Sequence, residues 1–448
     1  MRICVLGTGY VGLATVVYLA SLGNQVCCID SDTGKIEGLL EGRIPIFEPG
    51  LEAVLQEQVQ ARRLTFSTDL SLILDDCESC FIAVGTPLGR DGEVDSSQVM
   101  AAVHQFGRLI NRSVVLVIKS TVPPGTTEKV KGIIREELIG RGRKDLEIDV
   151  VYNPEFLREG EALGDMANPD RIILGTDSQL AVEYLQTLYA SHIAAGIPLL
   201  EMDSLSAEMC KYACNVMLAC RISLMNELAE ICDAVGADIC EVQRGMALDQ
   251  RIGRQYLNPG IGYGGSCLPK DVTAITKLGQ QYGLPMFIAS GIHLVNQRQR
   301  LGFADLITAR FGNDLKGIAL GVWGLSFKPG TDDLREAPAL DIITALLERG
   351  ASVEAFDPAA NSDQTWPDPL RMGFKRVDSM REAALGKNAL LLLTEWPCFA
   401  DVDFSELSAL MRERIIFDGR SLYCPDIVRR HGFEYYCIGR NSRPDSRS

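Results

Sequence analysis

The stretch Arg2-Ile3-Cys4-Val5-Leu6-Gly7-Thr8-Gly9-Tyr10-Val11-Gly12 decides the fold. Its apolar run reads as a short buried strand, and Gly7, Gly9 and Gly12 then open an apolar helix that continues through Leu22. A second strand, Gln25–Ile29, ends at Asp30. The glycine spacing alone is a weak signal. Set between strand and helix, with an acid closing the next strand, it specifies a doubly wound parallel sheet built to hold a dinucleotide. Gly7 permits the tight turn, Gly9 lets a pyrophosphate reach the helix N-terminus, and Gly12 allows close helix–strand packing. Asp30 would accept hydrogen bonds from ribose hydroxyls and repel a 2′-phosphate, which favours NAD over NADP; the alternative is a glycine turn with a solvent-facing acid. Lys35 reads equally as a further ribose contact or a surface lysine.

Working outward, 448 residues imply two or three domains, and 46% apolar content supplies real cores. The net charge of −15 argues against a nucleic-acid surface but not against an anionic small substrate held by locally convergent cations. No apolar run reaches the length of a membrane span, and the N-terminus lacks a signal-peptide layout, so a cytoplasmic protein is expected. In such a chain most of the fourteen cysteines should be reduced, buried, small hydrophobes. Cys77-Glu-Ser-Cys80 precedes a strand instead of opening a helix after one, which disfavours a redox or zinc role. No metal is expected.

Further strand ends carry turn chemistry. Residues 81–84 lead into Gly85-Thr86-Pro87, and Val114–Ile118 leads into Lys119-Ser-Thr121-Val-Pro-Pro-Gly125. Thr86 and Thr121 thus stand at the carboxyl edge of the sheet, where ligands bind, or else cap helices. Strand 147–152 gives Asn153-Pro-Glu155-Phe-Leu-Arg-Glu159-Gly160. If that piece is helical, Glu155 and Glu159 share a face and are candidates for proton transfer or water activation; the plainer reading is a solvated helix start. Strand 169–175 returns to the sheet, closing the first domain near residue 200. Residues 204–235 form one long helix, apolar over more of its circumference than a surface helix needs, which suits a position between domains or subunits. Lys211 and Asn215 lie one turn apart on it among hydrophobic neighbours, and a lysine so placed should be functional or paired.

The stretch Asn258-Pro-Gly-Ile-Gly-Tyr-Gly264-Gly-Ser-Cys267-Leu-Pro-Lys270-Asp271 follows. A helix beginning near Ser266 would put Cys267 at its positive end with Lys270 close by, and both effects favour the thiolate, so Cys267 reads as a nucleophile. A second α/β unit starts near Lys316. Strands at 317–323, 352–356, 389–393 and 414–417 place Lys328 and Arg420 just past strand ends of one sheet, suited to holding a pyrophosphate. The expected fold is therefore α/β, two Rossmann-like doubly wound sheets joined by a long central helix and a helical domain: 1–200 for NAD, 201–300 helical with the cysteine loop, 301–440 for a second nucleotide, and 441–448 a flexible tail.

Two such sheets and a thiol loop suggest one nucleotide as oxidant and another carrying the substrate. Four histidines occur and none lies in a motif, unlike simple hydride-transfer dehydrogenases with a His base. A nucleophilic cysteine allows an alcohol to be oxidised to an aldehyde, trapped as a thiohemiacetal, oxidised again to a thioester and hydrolysed to an acid.

The motifs at 7–12, 84–87, 119–123 and 153–157, with Lys211/Asn215, 264–271, Phe327-Lys328, 331–335 and Asp418-Gly-Arg420, resemble the UDP-glucose/GDP-mannose dehydrogenase family, and within it the UDP-glucose 6-dehydrogenases. The resemblance covers Gly7 to about Arg420. It implies oxidation of a sugar nucleotide to the uronate with two NAD per turnover. By the same resemblance Cys267 is the thioester-forming nucleophile, Lys211 and Asn215 stabilise the oxyanion, Asp271 and Thr121 place the water, and Glu155 is the base. Val11, Asp30, Lys35, Thr86, Thr121, Glu159, Lys270 and Arg335 would contact the cofactor. The sugar nucleotide would lie on Glu155, Phe156, Leu157, Arg158, Glu159, Tyr256, Leu257, Asn258, Pro259, Gly260, Gly264, Lys328 and Arg420, with Lys211 and Asn215 beside it. Arg251 is similar to a residue that reaches a dimer partner's substrate, so a homodimer is implied. Tyr263 and Leu268 depart from the Phe that many members carry.

Asp249-x-Arg251-Ile-Gly-x-x-Tyr-Leu and Pro169-Asp-Arg-Ile resemble the UDP-glucose branch of the family more than its GDP-mannose branch, so UDP-glucose is the expected substrate, with GDP-mannose or a UDP-N-acetylhexosamine as the alternative. A one-hydride β-hydroxyacid dehydrogenase and a non-catalytic nucleotide-sugar sensor are the rival classes.

Overall fold

The computed structural model describes residues 1–360 and 373–440, so the expected tail at 441–448 lies outside the described residues. The chain divides into two compact units, 1–214 and 215–448.

In the first unit eight strands form one sheet: β1 (Arg2–Leu6), β2 (Gln25–Ile29), β3 (Leu64–Ser67), β4 (Ser79–Ile82), β5 (Val114–Ile118), β6 (Ile148–Tyr152), β7 (Ile172–Gly175) and β8 (Leu199–Met202). Their order is β3-β2-β1-β4-β5-β6-β7-β8, parallel through β6, with β7 antiparallel to β6 and β8 parallel to β7. Successive residues of β1 point to opposite faces. Ile3 and Val5 join Leu13, Val16 and Val17 of the helix Tyr10–Ser21, whereas Cys4 and Leu6 join Leu116 and Ile118. Both faces are covered, and so the strands read as continuous apolar runs rather than alternating ones.

The second unit repeats the plan with β9 (Ala319–Trp323), β10 (Ser352–Phe356), β11 (Phe374–Arg376), β12 (Ala389–Leu392), β13 (Ile415–Asp418) and β14 (Glu434–Cys437), ordered β11-β10-β9-β12-β13-β14 and parallel throughout. The long helix spans Ser204–Val235, as its unbroken apolar pattern predicts, and carries the chain from one unit into the other. Helices Ile239–Ala247, Leu268–Gln281 and Phe287–Phe311 follow it before β9 in the second unit.

Three sequence expectations need correction. Residues 153–158 carry no helix, so Glu155 and Glu159 do not share a helical face. Pro154 disfavours helix at Asn153, and the Glu155 carboxylate instead folds back to accept the Leu157 N–H at 2.7 Å. The strand expected at 81–84 runs two residues earlier. The edge strands β3, β8, β11 and β14 were not anticipated, because three or four residues carry too little periodicity to register.

Candidate active site

In the first unit the loop after β1 and the end of β2 meet as the glycine motif requires. Gly7 has φ +109°, and a Cβ there would lie 2.6 Å from the Ala83 carbonyl oxygen. A Cβ on Gly12 would fall 2.0 Å from the Gly7 carbonyl oxygen, whereas Gly9, at the helix N-terminus, has open space where its Cβ would be. Asp30 Oδ2 accepts the Thr8 N–H (2.8 Å) and hydroxyl (2.6 Å), and Oδ1 accepts the Asp32 N–H. Burial works against its ionisation, but these bonds and the nearby Lys35 charge outweigh it and hold the carboxyl below its usual range. Roughly one of its four acceptor sites remains for a ribose hydroxyl. Lys35 itself is exposed, Val11 and Thr86 are half-buried, and Thr121 is half-buried in the loop after β5. These residues fit NAD: an unobstructed helix start for the pyrophosphate and an ionised acid for the ribose.

The 153–160 loop brings a buried ion pair together with cations around an aromatic ring. Lys211 Nζ lies 2.9 Å from Glu155 Oε1 and donates to the Glu155 carbonyl oxygen at 2.7 Å, with the two residues 3% and 6% exposed. Burial alone would raise the Glu155 carboxyl. Lys211, the Leu157 N–H and Lys119 more than offset it, so the group sits below the ordinary carboxylate range. Phe156 is flanked by cations, with the Arg171 guanidinium 3.8 Å and the Lys211 ammonium 5.2 Å from its ring centre. Arg158 is exposed and tied to Asp165 and Glu161. Leu157 and Glu159 are half-buried beside it. At the end of the loop the Gly160 N–H reaches both Tyr10 Oη (2.5 Å) and Glu48 Oε2 (2.6 Å), and Glu48 Oε1 accepts the Ala162 N–H.

In the second unit Cys267 is the N-cap of the fourteen-residue helix Leu268–Gln281, exposed, with the Ser266 hydroxyl 3.5 Å from its sulfur. That position is the positive end of the helix dipole. Asp271 is buried one turn later, accepting from Asn215 Nδ2 on Oδ2 and from Lys270 Nζ on Oδ1, each at 2.6 Å. The glycine loop before Cys267 is clamped from two helices. Asn226 accepts the Gly260 N–H, Gln299 donates to the Gly260 carbonyl, and Asn296 and Arg300 bind the Tyr263 backbone. Tyr256, at φ +59°, holds a left-handed conformation that costs a non-glycine residue about 1–2 kcal/mol, a cost that clusters at ligand sites. Leu257, Pro259 and Gly260 are buried, and Asn258 accepts from Gln243. A Cβ on Gly264 would meet the Glu336 carbonyl at 2.2 Å. Arg420 donates to the Leu393 carbonyl (2.9 Å) and pairs with Glu395 (3.1 Å), while Lys328 lies half-buried after β9. Arg335 and Arg251 are exposed and pair with Asp333 and Asp249.

Models of three domains of the UDP-glucose/GDP-mannose dehydrogenase family match this chain: the NAD binding domain at residues 1–193, the central domain at 205–298 and the UDP binding domain at 321–425. The chain belongs to this family. Its relatives include a UDP-glucose 6-dehydrogenase of Pseudomonas aeruginosa, 44% identical over 98% of each chain. Another, from Rhizobium meliloti, is 40% identical over 98% of this chain and all of its own. Among solved structures, a UDP-glucose dehydrogenase of Pyrobaculum islandicum superposes with a TM-score of 0.88 at 36% identity, covering 97% of this chain and 96% of its own. A UDP-D-ManNAc dehydrogenase of Pyrococcus horikoshii gives 0.84 at 27%, covering 99% and 100%. The protein is thus an NAD-dependent dehydrogenase.

Several residues that shape this family member's site escaped the sequence reading. Asn296, Gln299 and Arg300 sit at helical spacing on one buried face, a signal that polar residues among apolar ones could have flagged. Asn226, Glu48 and Glu208 gave no local signal, since their partners are far away in sequence. The Tyr263 hydroxyl, where many members carry Phe, is buried with no partner among the described residues and so bears on packing. Cys77 and Cys80 are buried, and among the described residues no His, Cys, Asp or Glu cluster could hold a metal. Among them, too, no helix is long and apolar enough to cross a membrane.

Proposed function

We propose that this dehydrogenase oxidises UDP-glucose to UDP-glucuronate through a thioester on Cys267. The exposed thiol at a helix N-terminus, behind a glycine loop held in shape by buried side chains, carries the reading. The names of the relatives at 40–44% identity support the sugar. NAD held at Gly7–Gly12 and Asp30 would supply the hydride acceptor for each of two oxidations. Loss of a hydride from the C6 carbon and a proton from its hydroxyl leaves an aldehyde. The Cys267 thiolate adds to that carbon, forming a C–S bond and an oxyanion that takes a proton. Loss of a second hydride and proton gives the thioester. Water then attacks, the C–S bond breaks, and thiolate and carboxylate are released. In this reading Lys211 and Asn215 stabilise the oxyanion, Thr121 and Asp271 place the water, and Glu155 takes its proton. Asp30, Lys35, Thr86, Glu159, Lys270 and Arg335 serve the cofactor, and the loop 155–159, residues 256–260, Gly264, Lys328 and Arg420 serve the sugar nucleotide.

The partition into 1–200, 201–300 and 301–440, the cytoplasmic location and a homodimer with Arg251 reaching its partner's substrate belong to the same proposal. Two apolar stripes support a second copy as the partner. Met217, Leu224 and Ile231 on the long helix, and Phe287, Leu294 and Leu301 on the helix Phe287–Phe311, are exposed at seven-residue spacing.

NADH stoichiometry tests the chemistry. Wild type should form two NADH per UDP-glucose, and Cys267→Ser should release essentially no uronate. One NADH per substrate, or undiminished uronate from Cys267→Ser, would return the protein to single-hydride dehydrogenase chemistry. GDP-mannose and UDP-N-acetylhexosamines offered in turn decide the sugar.

A further inference from the structure

Lys119 opens the loop after β5 and is buried, at 6% exposure. Its ammonium donates to Asn153 Oδ1 at 3.1 Å and to the Pro154 carbonyl at 3.4 Å. Both acceptors lie immediately before Glu155 in the chain. Asn153 is itself fixed, donating to the Ile173 carbonyl (2.9 Å) and accepting from the Tyr189 hydroxyl (2.8 Å). The charged groups near Lys119 are the Glu155 carboxylate and the Lys211 ammonium, with Arg171 beyond, over Phe156. Tyr189 stays neutral there because burial raises its phenol above the ordinary value. Two buried ammonium groups therefore share one carboxylate. Lys211 takes Glu155 Oε1 and the Leu157 N–H takes Oε2, while Lys119 holds the Pro154 carbonyl one residue before Glu155 and its charge acts on the carboxylate through space.

We propose that Lys119 is a positioning residue for the hydrolytic half of the reaction: it fixes the 153–155 backbone and adds a second positive charge to the Glu155 carboxylate without occupying either of its oxygens. The proposal rests on Glu155 as the base of the preceding reading. Its charge state agrees with the geometry. Burial, partly offset by Glu155 and reinforced by Lys211, brings the Lys119 ammonium down to about 8, so the group is still largely protonated at neutral pH. A neighbouring cation favours the ionised carboxylate, and removing it should raise the pH at which Glu155 ionises.

The test uses the full chain. In Lys119→Met the stem volume is kept and the charge lost. The acidic limb of its kcat profile should move to higher pH, so that turnover at a fixed pH on that limb falls roughly three- to tenfold. KM for UDP-glucose and for NAD should stay near the wild-type values, and Lys119→Arg should keep the limb close to its wild-type position. An unmoved limb in a folded Lys119→Met overturns the proposal, as does a Lys119→Arg limb displaced like that of Met. Should Lys119→Met not fold, lysine-labelled NMR titration of the wild-type background answers instead. Glu155→Gln must shift the Lys119 titration to lower pH, and an unchanged midpoint means that the two charges do not communicate. This coupling is read independently of Cys267→Ser, so a failure of the thioester route and a failure of the Lys119 assignment are distinguishable.

Discussion

Replacing Lys211 by Met tests whether the long helix carries a paired charge into a buried site. The pair is 2.9 Å apart with both partners nearly inaccessible. Removing one member of a buried ion pair costs about 3–5 kcal/mol, because the other charge is left without its partner in a poor solvent. Lys119 remains near Glu155 and tempers the loss, which places the expected cost near 3 kcal/mol, the low end of that range. For a unit of 214 residues that corresponds to a fall in Tm of about 6–12 °C. The double variant Lys211→Met/Glu155→Gln leaves no uncompensated carboxylate and should recover most of the loss, to within about 1 kcal/mol of wild type. The pH dependence has a defined sign. In the wild type Glu155 sits below its ordinary value, so its contribution is present above the unfolded value and fades as pH falls through the folded one. Without Lys211 burial dominates and the carboxyl takes up a proton more readily, so the gap between wild type and Lys211→Met should narrow in acid. Calorimetric melts of the three proteins across that range provide the measurement. A double variant no more stable than Lys211→Met, or a gap that widens in acid, would refute the buried-pair reasoning.

Gly9→Ala should keep the wild-type Tm while raising KM for NAD, because the added methyl enters open space at the helix N-terminus; Gly12→Ala should lower Tm or prevent folding, because its Cβ would lie 2.0 Å from the Gly7 carbonyl oxygen. Melts and NAD titrations of the two variants would contradict this if both behaved alike. Leu224→Glu and Leu294→Glu each place a charge on an exposed apolar stripe and should shift the light-scattering mass of the proposed homodimer to that of a monomer; a mass unchanged in both removes that face from the proposed interface.

Much of the fold was legible locally. The runs Arg2–Leu6, Gln25–Ile29 and Val114–Ile118 and the helix Ser204–Val235 carry their periodicity and their stop signals in adjacent residues, so their bounds could be read directly. Cys267 was legible for the same reason, since its glycine approach and helix start are contiguous with it. The 153–160 loop was not, because its shape depends on Glu48, Tyr10 and Lys119, which arrive from other elements.

Asp30 and Asp357 show where sequence stops and tertiary structure decides. Each follows the second strand of a sheet with the same order, and by position alone the two acids are equivalent. Asp30 keeps part of its carboxylate open after serving Thr8 and Asp32. Asp357 is fully buried and accepts from Leu325, Ser326, Ala359, Ala360 and Trp396, so no acceptor site is left for a ribose. The amino-acid order alone determined two Rossmann-like sheets, their glycine turns and a thiol at a helix start, because these follow from short-range periodicity and steric rules. Which acids stay available, and how Lys119, Glu155 and Lys211 share charge, was decided only by folding. Burial strengthens electrostatic interactions between groups whose separation in sequence says nothing about their distance in space.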